Sequence, residues 1–131
     1  IRDRENLKEA VDFVKNFAKA AGSIVAVTGA IDLVSDGERC YVIRNGKAQM
    51  GKITGTGCQL SGLMTAYITA NPKHMLDAAA AAVCAMGLAG EIAHERLTSQ
   101  DGNATYRNYI IDAIYHMDGD ELEHGAKFEV K

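Results

Sequence analysis

Residues 52–60 read Lys52-Ile53-Thr54-Gly55-Thr56-Gly57-Cys58-Gln59-Leu60, and the hydrophobic pattern of the chain differs on the two sides of this run. Upstream, short β-branched stretches alternate with turn residues; downstream, apolar residues recur every three to four positions, as in helices. The glycines allow a tight turn before the predicted helix, and the unpaired N–H groups of a helix's first turn favour a phosphate. We therefore expect an anion-binding loop, with Cys58 beside it as a nucleophile or base.

Upstream of this loop the sequence predicts one helix and four strands. The helix ends at Ala21-Gly22, and the apolar stretch 23–28 is typical of a strand buried on both faces. Three short strands follow, at about 31–35, 39–44 and 47–53. Asp36-Gly37 and Asn45-Gly46 are the predicted hairpin turns between these three strands.

Downstream of the loop the sequence predicts three helices and a terminal strand. The first helix ends near residues 70–72, the second is alanine-rich and runs from about 73 to 97, and the third is capped by Asn103. We expect 118–125 to be a solvated loop and 127–131 to be an edge strand. Because no repeat or linker divides the chain, we predict that residues 1–131 belong to a single domain.

Composition and charge restrict the class of protein. The chain has 131 residues, 47% of them hydrophobic and 24% charged, and a formal net charge of −3, which is ordinary for a soluble domain. The charge does not favour nucleic acid or an anionic membrane surface as a partner. The longest apolar stretch, about 78–89, is shorter than the ~20 residues of a membrane span, and the start of the chain does not resemble a signal peptide. We therefore expect a cytoplasmic protein.

Cysteine and histidine spacing predicts no metal centre. Cys40, Cys58 and Cys84 lack CxxC spacing, so they are interpreted as reduced thiols, with Cys40 and Cys84 as small core residues. Glu91 and His94 have the Glu-x-x-His spacing of di-iron bundles, but such bundles need a second pair and further glutamates.

Three features together resemble a known family: the stretches Ala26–Asp32 and Lys52–Cys58, and the alanine-rich helix that follows. They are similar to the C-terminal half of the hydroxyethylthiazole kinases, thiamine-salvage enzymes of the ribokinase-like superfamily. The resemblance implies an α/β fold, a ribokinase-like αβα sandwich of which this chain would supply the C-terminal half. It also implies transfer of the ATP γ-phosphate to the hydroxyl of 4-methyl-5-(2-hydroxyethyl)thiazole, with Mg²⁺, in a homotrimer whose sites lie at subunit interfaces.

The resemblance also implies roles for individual residues. Gly55, Thr56 and Gly57 match the anion hole for the transferring phosphoryl group, and Gly55 also matches a thiazole-contacting position. Cys58 matches the residue that takes the proton from the substrate hydroxyl, where most of the superfamily has aspartate. Thr28 matches an ATP-binding position, and no residue is assigned as a metal ligand. The 101–105 loop departs from the family pattern, which is richer in glycine and proline.

Family members are about twice as long as this chain, which has no initiator methionine. The resemblance therefore implies activity only with the N-terminal half, as a separate or continuous polypeptide. Two alternatives remain open. One is a related ribokinase-like kinase that acts on another alcohol, such as a hydroxymethylpyrimidine or a sugar. The other is a non-catalytic fragment that acts as an assembly module.

Overall fold

A computed structural model describes residues 6–131, which form a mixed fold of five α-helices, four strands and one short 3-10 helix. In chain order these elements are α1 (Leu7–Ala21), β1 (Val25–Val27), β2 (Asp32–Ser35), β3 (Cys40–Ile43), the 3-10 helix Ala48–Lys52, α2 (Thr56–Ala70), α3 (Met75–Glu95), α4 (Asn103–His116), α5 (Gly119–Gly125) and β4 (Phe128–Val130).

The four strands form one sheet in the order β1-β2-β3-β4, and all their pairings are antiparallel. Side chains alternate across the sheet, so its two faces bury different sets of residues. Leu33 and Val42 pack with α1 on one face, whereas Val34 and Ile43 join the core around α3 on the other. The described chain therefore has three layers, with the sheet between α1 and the remaining helices.

The alanine-rich helix α3 is the centre of the larger core and contacts both α2 and α4. By length and composition α3 could cross a membrane, but 72% of its apolar window is buried inside the protein. The core helix of a soluble protein passes the same test, and the small side chains of α3 allow other elements to approach it closely.

Several predicted elements are confirmed. The helix that ends at Gly22, the helix after the glycine loop, the long alanine-rich helix and the terminal edge strand are all present. Gly22 has φ +60° and ends α1 in the left-handed conformation that favours glycine. Cys40 and Cys84 are buried, as expected of small core residues.

The predicted strand at 47–53 is wrong, because residues 48–52 form a 3-10 helix. The position beside β3 is taken instead by β4, which comes from the far end of the chain and pairs Tyr41 with Val130 and Ile43 with Phe128. Asn45 and Gly46 therefore do not form a hairpin turn; they direct the chain away from the sheet and toward α3.

Three smaller predictions also fail. The strand β1 is half-buried, not buried on both faces, because only β2 pairs with it among the described strands, and Val27 is exposed. Residues 119–125 form α5, since Asp118 accepts a hydrogen bond from the Glu121 N–H at 2.8 Å and caps the helix. Asn103 is the first residue of α4, and it does not cap this helix: its amide donates to the Lys52 carbonyl at 3.1 Å.

Candidate functional site

An open cavity of about 650 Å³ lies where the loops after β1 and β3 meet the first turn of α2. One side is formed by the turn after β1, the second by the segment that leaves β3, and the floor by α3. The lining residues are Thr28, Gly29, Ala30, Asp32, Asn45, Gly46, Lys47, Ala48, Met50, Gly51, Thr56, Gly57, Leu60, Val83, Met86 and Gly87.

The first turn of α2 presents unpaired backbone amides beside this cavity. Gly55 precedes the helix with φ +96°, a left-handed conformation that L side chains rarely adopt, and no side chain caps the helix. The amides of Thr56 and Gly57 are therefore free of intrahelical partners, and both residues line the cavity. A helix start of this kind, on an open cavity, can bind a phosphate group.

The cavity brings together part of the residue set predicted from the sequence. Thr28, at the end of β1, lies on the same cavity as Thr56 and Gly57, although about 30 residues separate them in the chain. Gly55 and Cys58 adjoin these residues in sequence but are not among the lining residues. Cys58 is exposed on the first turn of α2, so its thiol is accessible to a reactant from outside this chain.

Asp32 is a lining residue that sequence reasoning assigned no role. Its Oδ1 accepts a hydrogen bond from the Gly29 N–H at 2.8 Å, which closes the turn after β1 next to Thr28. Burial raises the pKa of Asp32, although the Gly29 hydrogen bond acts in the opposite direction. The sequence carried no local signal for this bond, because the usual Asx turn binds a backbone N–H that follows the aspartate, whereas Gly29 precedes Asp32.

A second group that sequence reasoning missed is centred on Glu91, which extends from α3 to the start of the segment after β3. Glu91 Oε1 accepts from the Gly46 N–H at 2.8 Å and from the Asn45 amide at 3.2 Å. Glu91 Oε2 accepts from the Lys127 ammonium at 2.7 Å. Asn45 is almost fully buried, and its amide also donates to the Gly125 carbonyl at 2.9 Å while its Oδ1 accepts from the Lys127 N–H at 2.7 Å.

These contacts shift the ionisation of Glu91. Burial raises its pKa, but the hydrogen bonds from Lys127, Gly46 and Asn45 outweigh burial, so the pKa lies below the ordinary value of 4.5. Glu91 is therefore ionised at neutral pH. The His94 ring, one turn further along α3, lies edge-on to Tyr106, and residues 6–131 hold no group of three or more metal-ligating side chains.

Comparisons with known proteins agree on one family. The model of the Hydroxyethylthiazole kinase family matches residues 2–120. A hydroxyethylthiazole kinase from Clostridium acetobutylicum is 49% identical over 125 residues, which is 95% of this chain and 46% of the relative. One from Methanocella arvoryzae is 37% identical over 119 residues, or 91% of this chain and 43% of the relative.

The fold agrees with a solved structure. The structure of the hydroxyethylthiazole kinase protein from Pyrococcus horikoshii OT3 superposes with a TM-score of 0.84 at 31% sequence identity, over 95% of this chain and 47% of that chain. The chain therefore spans about half the length of the curated relatives and of the solved structure that it matches.

Proposed function

Because the chain belongs to the hydroxyethylthiazole kinase family, we propose that it carries part of a site that transfers the γ-phosphate of ATP to the hydroxyl of 4-methyl-5-(2-hydroxyethyl)thiazole, in thiamine salvage. The observation that supports this most strongly is the cavity, which joins Thr28 to the uncapped first turn of α2. These are the two motifs that an ATP-dependent kinase of this family would use together.

Phosphoryl transfer depends chiefly on positioning and on stabilising the charge of the transferring group. The amides of Thr56 and Gly57 supply oriented donors for this charge, and Gly55 allows the backbone to turn close to the phosphate. Cys58 is proposed to take the proton from the attacking hydroxyl, and its exposed position leaves room for an alcohol next to the amides.

Mg²⁺ would accompany ATP, and the carboxylate that lines the cavity fits a weakly held ion. Asp32 supplies a carboxylate to the lining, and Mg²⁺ commonly uses one or two carboxylates together with substrate phosphates and water. The ion would neutralise charge on the phosphates. Asp32 itself holds the turn after β1 through its bond to Gly29.

The proposed partner is the N-terminal half of the same enzyme, either as a separate chain or as part of a longer one. The coverage of the relatives supports this, and so do exposed apolar side chains on β1 and α1. Val27 is 40% exposed on β1, which pairs only with β2 among the described strands, and the stacked rings of Phe13 and Phe17 on α1 are 67% and 54% exposed. A homotrimer and a cytoplasmic location are further proposals, taken from the family resemblance.

The test is reconstitution. Residues 1–131 are expressed alone, mixed with the N-terminal part of the Clostridium acetobutylicum relative, and fused to that part in one chain. ADP release is then followed with ATP, Mg²⁺ and hydroxyethylthiazole. We expect thiazole-dependent ADP release only in the two samples that contain both parts. Gly62→Ala in the fused protein is the control for a harmless substitution in α2, since Gly62 lies on the exposed side of this helix with open space around it.

Two outcomes would contradict the proposal. If the fused protein folds but releases no ADP with any alcohol, the chain is better explained as an assembly module. If it phosphorylates a hydroxymethylpyrimidine or a sugar in preference to the thiazole, the reaction class holds but the substrate is wrong.

A further inference from the structure

The segment from Asn45 to Gly51 forms one wall of the cavity, although none of the described strands pairs with it. Five of its residues besides Asn45 line the cavity. The 3-10 helix Ala48–Lys52 begins within this segment, is only five residues long and buries no side chain. The hydrogen bonds of so short a 3-10 helix contribute little stability, because their geometry is poor. The position of this wall must therefore be determined by contacts elsewhere.

The wall residues contact α3 and the chain near β4, and the end of the 3-10 helix is also held by the Asn103 amide at the Lys52 carbonyl. Gly87 lies so close that a Cβ there would be 2.6 Å from Asn45 Cβ, and Gly90 lies directly under the Met50 side chain. Glu91 then binds the Asn45 amide and the Gly46 N–H with the same oxygen, Oε1. Gly87, Gly90 and Glu91 occupy adjoining turns of one helix face, so α3 provides a continuous support for the wall.

Of these contacts, the hydrogen bonds to Glu91 are the ones that determine the direction of the chain after Gly46. Gly46 has φ +120°, a conformation that only glycine adopts readily, and its N–H is fixed at 2.8 Å from the carboxylate. The chain direction after Gly46 decides where Lys47 and Ala48 lie. Lys47 carries the positive charge among the described lining residues, and it shares the cavity with the amides of α2.

We infer that Glu91 is a positioning residue for ATP binding, which holds the wall 45–51 in its binding-competent place through Asn45 and Gly46. The inference rests on the proposed function. ATP is the relevant substrate because it is a polyanion, and the wall brings Lys47 to the cavity on which the phosphate-binding turn opens. Glu91 itself contacts the wall and not the reacting atoms.

The expected effect of losing Glu91 follows from the population of the competent wall. If removal of the anchor lowers that population to about a tenth, the apparent affinity for ATP falls about tenfold, while the chemistry in the competent state is unchanged. We therefore expect Glu91→Ala to raise the KM for ATP about tenfold, with kcat within about twofold of the parent protein.

Two matched variants separate positioning from stability. Glu91→Gln keeps an oxygen acceptor for Asn45 and Gly46 but loses the charge opposite Lys127, so it should restore a KM near that of the parent. Lys127→Ala removes the ion pair with Glu91 but leaves the backbone N–H of residue 127 on Asn45. It should also keep the parent KM, even if it lowers the unfolding midpoint.

The measurement uses the fused protein described above, with KM and kcat from ADP release and the Kd for Mg-ATP from calorimetry. A raised KM in Glu91→Ala, rescued by Gln and absent in Lys127→Ala, supports the inference. An unchanged KM, or a fall in kcat alone, overturns it. If the parent binds Mg-ATP but phosphorylates no thiazole alcohol, only the proposed function fails, and the ratio of Kd values between variants then decides the inference. If the parent binds no Mg-ATP, both fail.

Discussion

The packing of the cavity wall on α3 can be tested with one added methyl group. In Gly87→Ala the new Cβ would lie 2.6 Å from Asn45 Cβ, 2.8 Å from its carbonyl carbon and 2.9 Å from its carbonyl oxygen. Two of these are backbone atoms that cannot rotate away, so either the wall or α3 must move.

The expected change in the free energy of unfolding is the sum of two opposing effects. Replacing glycine by alanine within a helix gains about 1 kcal/mol. Overpacking a close contact costs about 1–3 kcal/mol, and the backbone atoms of Asn45 favour the upper end of that range. Gly87→Ala should therefore lower the free energy of unfolding by about 2 kcal/mol.

Gly62→Ala isolates the helix-propensity term, because Gly62 is within α2 and has open space around its Cα. This control should raise the free energy of unfolding by up to about 1 kcal/mol, so the two variants should differ by about 3 kcal/mol. Gly90→Ala should fall between them, since it meets the flexible end of Met50.

The assay is urea denaturation followed by circular dichroism at 222 nm, with all variants in one protein background so that only differences are compared. If Gly87→Ala were as stabilising as Gly62→Ala, the segment 45–51 would not pack on α3. The structural basis of the positioning role assigned to Glu91 would then be lost.

Three further predictions concern the glycine loop and Glu91. Cys58→Ala should lower kcat and Cys58→Asp should keep or raise it; an unchanged kcat in the alanine variant would remove Cys58 from the mechanism. Gly55→Ala should lower the free energy of unfolding by about 1–2 kcal/mol through backbone strain at φ +96°, whereas Gly57→Ala, which needs no left-handed backbone, should not. Because the pKa of Glu91 is lower in the folded than in the unfolded chain, its stabilising contribution is complete above the unfolded pKa and is lost as the pH falls through the folded pKa. Denaturation midpoints of the parent should therefore decline more steeply than those of Glu91→Gln below about pH 5, and parallel curves would contradict this.

The sequence alone predicts four of the five described α-helices, because each of these four carries its own apolar period, whereas the short polar α5 does not. Gly22 ends α1 and the alanine-rich pattern identifies α3 without any knowledge of the rest of the chain. The short apolar and turn patterns are less informative. Residues 47–53 are predicted as a strand, but a strand needs a neighbour, and β4 occupies the place beside β3.

The same distinction applies to the cavity. Gly55, Thr56 and Gly57 predict an anion-binding turn from local backbone chemistry alone, and this role stays a prediction. No local sequence pattern predicts the hydrogen bonds of Glu91, since its partners Asn45, Gly46 and Lys127 lie 36 to 46 residues away. Its Glu-x-x-His spacing to His94 gives no indication of these contacts.

By itself, then, the sequence determined four of the five described α-helices, the glycine turn before α2 and the family, since each of these has a local sequence pattern. Only the tertiary structure decided which strand lies beside β3, how the wall 45–51 rests on α3, and that Thr28 reaches the same cavity as Thr56. The physical reason is that these features depend on contacts between distant segments. Such contacts are selected by packing and by the need to satisfy buried polar groups, such as the amide of Asn45, rather than by local conformational preference.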